Sequence, residues 1–220
     1  MSKRILYGSI VSPYVRKVLA VLQFKHLAFE LKELIPFLKE HKETLLTLSP
    51  LGKIPLYQEK DLILADSSVI CAFLEKKYPE HTIYPINPED YAHCLWYEEY
   101  ADTVLMPTIL IIFFNQILAE KFKYEPNKTA VKEALEKLPQ IFTYLEQQIS
   151  NKDYLVANIL SMADISIVVA FLNLELTGFS LNTHWQTLSR YITNISRQDL
   201  IQNSFIEARA RLGMSLKSNK

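Results

Sequence analysis

Three short runs in the first third of the chain combine hydroxyls, a carboxylate and prolines in patterns that suit a small anionic or zwitterionic ligand. The first is Gly8-Ser9-Ile10-Val11-Ser12-Pro13-Tyr14. Proline is accepted at the first helical position, where its missing N–H costs nothing, so Pro13 marks a helix start and Ser12 its cap. A hydroxyl there lies beside unpaired backbone N–H groups and the positive end of a helix dipole, which together attract an anion. Ser9 is a second hydroxyl in the run, and Ser12 is preferred because it directly precedes the helix-starting proline. The second run, Ser49-Pro50-Leu51-Gly52-Lys53-Ile54-Pro55, places a proline at a strand entrance. Proline is tolerated there at a sheet edge; alternatively, a cis bond would turn the backbone of Ile54 outward to pair with an extended peptide. The third run, Asp66-Ser67-Ser68, opens a helix, with Ser67 read as the cap. Its N-terminus suits a carboxylate and Asp66 suits an ammonium, the pair of charges that one end of a small peptide presents. Each run also has a plainer reading, as a capped helix or as a turn into an edge strand.

These runs need strands and helices to hold them. Lys3–Tyr7 reads as a strand, and Val15, Val18, Leu19 and Leu22 follow helical spacing after Pro13. Leu27–Leu31 reads as a second strand, parallel to the first if that helix is the crossover. Residues 32–49 show no clear pattern. Ile54–Gln58 and Asp61–Ala65 are strand candidates around a Glu59-Lys60 turn, and Ser67–Tyr78 is a helix closed by Pro79. From residue 89 the pattern is helical throughout: 89–122, with Pro107 expected to kink or split it, then 129–149, 163–176, 185–195 and 198–212. The expected organisation is an α/β domain over 1–80, a proline-containing linker over 81–88 and an all-helical domain over 89–220.

Composition narrows the function. With 49% hydrophobic and 22% charged residues among 220, the chain has the balance of a soluble globular protein. A net charge of zero argues against a phosphate-neutralising surface for nucleic acid. Residues 1–80 carry +3 and the remainder −3, a mild bias toward an anion in the first part. The four glycines are too scattered for a phosphate-binding loop. Cys71 and Cys94 stand alone in apolar surroundings, and the five histidines lack metal-ligand spacing, so neither a disulfide framework nor a metal is expected and a reducing compartment is favoured. The opening MSKRILYGS lacks the apolar core of a signal peptide. Thr103–Leu118, interrupted by Pro107, Thr108, Asn115 and Gln116, reads as a buried helix rather than a membrane span.

Taken together, the three runs resemble the glutathione S-transferase family, and the likeness covers nearly the whole chain. Strand–Ser12-Pro13-Tyr14–helix resembles the serine-type active-site segment, nearest in form to the plant tau and related bacterial classes. Gly52-Lys53-Ile54-Pro55 resembles the family's cis-proline loop, and Asp66-Ser67 its acidic-Ser pair. Ser161-Met162-Ala163-Asp164-Ile165 resembles the capping box of the helical domain, a structural role for Ser161 and Asp164. The resemblance implies a thioredoxin-like α/β domain followed by an all-α domain, a cytoplasmic homodimer, glutathione as co-substrate and a detoxifying role. Ser12 would donate its O–H to the glutathione sulfur, Ile54 would pair with the cysteinyl backbone beside cis-Pro55, and Asp66 and Ser67 would hold the γ-glutamyl end. Lys53, or Lys39 or His41, would meet the glycyl carboxylate. The electrophile would lie between the domains, with Tyr14, Phe37, Met106, Leu110 and Phe113 as candidate contacts.

The energetics are adequate. A thiol with pKa about 8.5 is mostly protonated at neutral pH, and lowering it by about 2 units needs roughly 2.7 kcal/mol. A charge-assisted hydrogen bond supplies about 1.5–3 kcal/mol and a helix N-terminus roughly 0.3–1. No cysteine occupies the helix start, which argues against thiol–disulfide exchange, and the double-serine-cysteine segment of the zeta class is missing. Two other readings share the fold: a non-enzymatic binding module resembling stringent starvation protein A, and a glutathione-dependent dehalogenase, isomerase or peroxidase.

Overall fold

The run after Lys3 forms the strand β1 (Arg4–Tyr7) in the computed structural model of the chain, which describes residues 3–181 and 184–214. The predicted domain ends at 1–2 and 215–220 lie outside the described residues. The helix α1 (Pro13–Phe24) carries the chain across to β2 (Glu30–Lys32), which pairs parallel with β1. The hairpin of β3 (Leu56–Glu59) and β4 (Leu62–Ala65) completes an antiparallel edge, giving the order β2-β1-β3-β4. This is the predicted α/β architecture, with the largest boundary shifts at the starts of β2 and β3. β2 starts at Glu30 rather than Leu27, because the Leu27 N–H closes the end of α1 on Leu22 O. β3 starts at Leu56 rather than Ile54, since Pro55 has no N–H for the ladder.

Residues 32–49 contain a helix, α2 (Lys39–Leu48), in which Leu45 is the one buried residue. So thin an apolar stripe leaves no helical period to read. Leu45 packs with Leu34 and Leu56, and Tyr7, Ile54 and Ala65 border that cluster, so α2 is pinned to the sheet end where the three runs emerge. The helix α3 (Ser67–Lys77) follows β4.

The helical unit begins with a rod over 88–122. It contains α4 (Pro88–Tyr100), a π-helical segment (Ala101–Leu105), α5 (Met106–Phe113), a second π-helical segment (Phe114–Leu118) and α6 (Ala119–Phe122). Pro107 neither splits nor ends it. The wide turn before Pro107, where Met106 N–H reaches back to Ala101 O, accommodates the ring and the missing N–H. By length and composition the rod could cross a membrane, but α5 packs on α7 (Lys128–Ile149) and α8 (Met162–Glu175), burying Met106, Ile109, Ile112 and Phe113. Thirteen of the fourteen residues of α8 are buried, so it is the core of this unit and apolar all round. Asp164, fully buried in its first turn, accepts from Leu155 N–H (2.8 Å), Ser161 N–H (2.8 Å), Ser161 O–H (2.9 Å) and Tyr191 O–H (2.6 Å). Burial pushes its carboxyl up and these donors pull it back.

After α9 (Gln186–Ser196) comes α10 (Asp199–Arg211). Here the structure departs from a single helical domain over 89–220. The described residues from Asp199 to Met214 belong with those up to Ile83, and Tyr84–Gln198 forms the other unit. The physical reason is that α10 packs on α1, with Phe205 against the Arg16 guanidinium at 5.7 Å.

Candidate functional site

The strand register explains why three runs far apart in sequence share one place. Tyr7 pairs with Leu56, and Leu56 pairs with Ala65. The segments that leave these residues are Gly8–Ser12, Ile54–Pro55 and Asp66–Ser67, so all three emerge at one end of three adjacent strands.

Ser12 caps α1 in extended backbone, and Pro13 occupies the first helical position. Its Oγ accepts from Val15 N–H at 3.4 Å, which leaves the hydroxyl proton without an acceptor among the described residues. Ser9 is 7% exposed, and its carbonyl accepts from Ser12 N–H, whereas Ser12 is half-buried. Access therefore favours Ser12 over Ser9. Gly8 permits the close packing of this loop: a Cβ there would lie 2.4 Å from Val15 Cγ2 and 3.5 Å from Ile54 Cβ.

The Ile54–Pro55 bond is cis. Among the described residues the Ile54 N–H and C=O have no hydrogen-bond partner, as pairing with an extended peptide requires. The loop is held from below by Lys42, whose Nζ donates to Gly52 O at 2.7 Å. Gly52 has φ +52°, and a Cβ there would meet Lys42 Nζ and Leu46 Cδ2, each at 2.8 Å. Sequence reasoning missed Lys42, because its target is ten residues away and depends on where α2 packs. Lys53 and Lys39 are exposed and without a carboxylate partner among the described residues. His41 is committed differently: its Nδ1 accepts from Ile35 N–H at 3.0 Å, which leaves Nε2–H as its donor.

The third run corrects one assignment. Asp66, not Ser67, is the cap of α3, with Oδ1 accepting from Ser68 N–H (2.9 Å) and Val69 N–H (3.2 Å). Ser67 is the first helical residue, and its N–H and hydroxyl have no partner among the described residues. Asp66 holds φ +78°, a strained conformation for a side-chain-bearing residue, costing about 1–3 kcal/mol and characteristic of ligand-clamping positions. Its second carboxylate oxygen is also without a partner among the described residues, so one oxygen builds the helix while the other can take an ammonium.

Of the residues predicted to contact an electrophile, Tyr14 and Phe37 in the first unit retain accessible surface, Phe37 at 50%. In the second unit Leu110 does too, but Met106 and Phe113 are each 1% exposed and serve as core. Both cysteines are buried, and burial pushes the Cys94 thiol up to about 12, which makes it an inert thiol.

The arrangement matches known proteins throughout its length. Residues 6–82 match the family described as "Glutathione S-transferase, N-terminal domain" and residues 100–199 the family described as "Glutathione S-transferase, C-terminal domain". Glutathione S-transferase F13 of Arabidopsis thaliana is 30% identical over 165 residues, covering 73% of this chain and 75% of that protein. Probable glutathione S-transferase GSTF2 of Oryza sativa subsp. japonica is 29% identical over 165 residues, covering 74% and 77%. Among solved structures, a glutathione S-transferase from Sinorhizobium meliloti 1021 superposes with a TM-score of 0.87 at 18% identity, covering 99% of this chain and 97% of that one. Glutathione transferase F7 from Populus trichocarpa gives 0.83 at 24% identity, covering 93% and 98%.

Proposed function

The chain belongs to the glutathione S-transferase family, and we propose that it is an active transferase that joins the sulfur of glutathione to small hydrophobic electrophiles. The observation that carries this reading is the state of Ser12. Its Oγ is anchored by Val15 N–H, and its proton is left to donate at the positive end of α1. A thiolate placed there receives a charge-assisted hydrogen bond and the field of the helix, so the anion forms at neutral pH without a general base. The cysteinyl backbone pairs with Ile54 beside Pro55. Asp66 takes the γ-glutamyl ammonium on its open oxygen, and the N–H and hydroxyl of Ser67 take the carboxylate. Lys53 meets the glycyl carboxylate, with Lys39 and the Nε2–H of His41 as further donors. Bond formation is then attack of the held thiolate on the electrophilic carbon, with the leaving group or the electrophile's own acceptor atom taking the electron pair. A cytoplasmic homodimer with a detoxifying role completes the proposal.

The test is calorimetric titration of wild type and Ser12→Ala with glutathione, followed by conjugation rates over a panel of electrophiles. Wild type is expected to bind in the micromolar-to-millimolar range. Ser12→Ala is expected to bind within about threefold of wild type but to lose about 100-fold in kcat/KM, the equivalent of about 2 pKa units in the bound thiol. Failure of wild type to bind glutathione, or a Ser12→Ala variant with an undiminished rate, would sink the proposal.

A further inference from the structure

A cleft of about 570 Å³ opens in the unit Tyr84–Gln198 and lies wholly within it. That volume is in the range of sites for small organic ligands. One wall is a face of α4, where Asp90, His93 and Tyr97 follow one another at the spacing of helix neighbours. The other wall is Gln148, near the end of α7, with the segment 151–158 that follows. The walls meet where the buried Tyr97 donates its O–H to Gln148 Oε1 at 3.1 Å. The base is fixed, because Leu155, 2% exposed, gives its N–H to the buried Asp164. The carboxylate that starts α8 therefore also holds the cleft in shape.

The polar groups of the cleft are left open in a definite order. The Asp90 carboxylate and the His93 ring have no partner among the described residues. Lys152 has no carboxylate partner there, and its Nζ makes one long contact, to Leu155 O at 3.4 Å. Because Gln148 Oε1 accepts from Tyr97, its amide nitrogen is left to donate. One end thus offers an anion and the other offers two donors, one of them an ammonium. Two helical turns separate Asp90 from Tyr97, about 10 Å along the axis. An extended peptide covers about 3.3–3.6 Å per residue, so a free amino acid is too short to touch both ends. The geometry points to a second ligand site, for a zwitterionic peptide of about three residues. Asp90 holds its terminal ammonium, Gln148 Nε2 and Lys152 its terminal carboxylate, and His93 faces the middle of the chain. One negative and one positive charge in the walls match a ligand of no net charge.

The probes are trialanine, its N-acetyl and C-amide forms and free alanine, titrated by calorimetry into the full-length protein with and without saturating glutathione. Trialanine is expected to bind wild type with a Kd below about 1 mM and about 10-fold tighter than alanine, which reaches one end alone. Asp90→Asn should weaken trialanine about 10-fold, the scale of one charge-assisted hydrogen bond, and leave the N-acetyl form unchanged. Lys152→Met should weaken trialanine by about the same factor and leave the C-amide unchanged. Both side chains reach solvent, so neither substitution empties a core position; should Asp90→Asn fail to fold, Lys152→Met tests the carboxylate end by itself. Glutathione should not displace trialanine, because the candidate site for glutathione lies in the other unit. The inference is overturned by the absence of binding at millimolar trialanine, by equal affinity for alanine, or by variants that weaken the capped and uncapped peptides alike. Displacement by glutathione with no effect of either substitution would also overturn it, by placing the peptide in the other unit. A wild type that binds no glutathione removes the transferase reading and leaves this test unchanged.

Discussion

Asp66 and Ala157 both hold left-handed backbone, for opposite reasons. At Asp66 the strain is offset by two hydrogen bonds from its own helix, and it leaves a carboxylate oxygen open to a ligand. Ala157 has no such compensation. It sits with Asn158 at the centre of a tight turn closed by Ile159 N–H on Val156 O at 3.3 Å, and both central residues have φ +52°. Turns of this hand favour glycine and asparagine, because a Cβ crowds the backbone there. The Ala157 side chain is exposed, so replacing it forfeits no packing. Ala157→Gly is expected to stabilise the protein by about 1 kcal/mol, after allowance for the greater freedom of glycine in the unfolded chain. Urea unfolding would show this as a raised midpoint with an unchanged slope; a lowered midpoint would contradict it.

Helix α8 depends on one carboxylate. Asp164 gathers four donors from Leu155, Ser161 and Tyr191, and so ties the start of α8 to the preceding loop and to α9. Asp164→Ala would leave these donors buried without an acceptor. The cost is about 3–5 kcal/mol, as expected when one partner of a buried polar network is removed. Asp164→Asn should be nearly as harmful, because its amide would set a donor against donors. The prediction separates folding from binding. Under conditions where the variant is still folded, its glutathione affinity should match wild type, since the candidate site lies in the other unit. A variant with full stability but weakened binding would refute the structural role.

Across the whole chain, several groups hold their protons more tightly in the fold than free in water. Burial raises the Cys94 thiol from 9.0 to about 12. Burial and then the Glu59 hydrogen bond raise the Tyr57 phenol, and the Glu59 hydrogen bond raises Lys77. A group raised in the folded state contributes stability that is complete below its unfolded value and is lost as pH climbs toward the folded one. The share of stability that the Cys94 thiol contributes should therefore be lost progressively from about pH 9 upward. Cys94→Ala should lower the unfolding midpoint at neutral pH but flatten its fall between about pH 9 and 11. Urea titrations at several pH values decide this, and parallel curves for the two proteins would count against the burial of that thiol.

Much of the candidate site was legible in the chain because it is local. Pro13 after Ser12, Pro55 after Ile54 and the acidic-Ser pair at 66–67 are helix caps and a loop whose chemistry lies within a few residues, and the strand and helix periods around them follow side-chain alternation. What the tertiary structure decided depends on partners distant in sequence. Helix α2 was illegible because a single buried leucine sets no period. The cap of α3 moved from Ser67 to Asp66 because backbone conformation, not residue type, selects between adjacent capping residues. Met106 and Phe113 share the helical spacing of Leu110, yet only packing against α7 and α8 shows which of them are core. The grouping of α10 with α1, and the reach of Lys42 to Gly52 and of Lys17 to Ser68, were settled by packing between elements. Sequence by itself determined which groups could do the chemistry, because types and near neighbours are written in order along the chain. Their burial, orientation and supporting contacts came from the fold, since these depend on faces that meet only when the chain is packed.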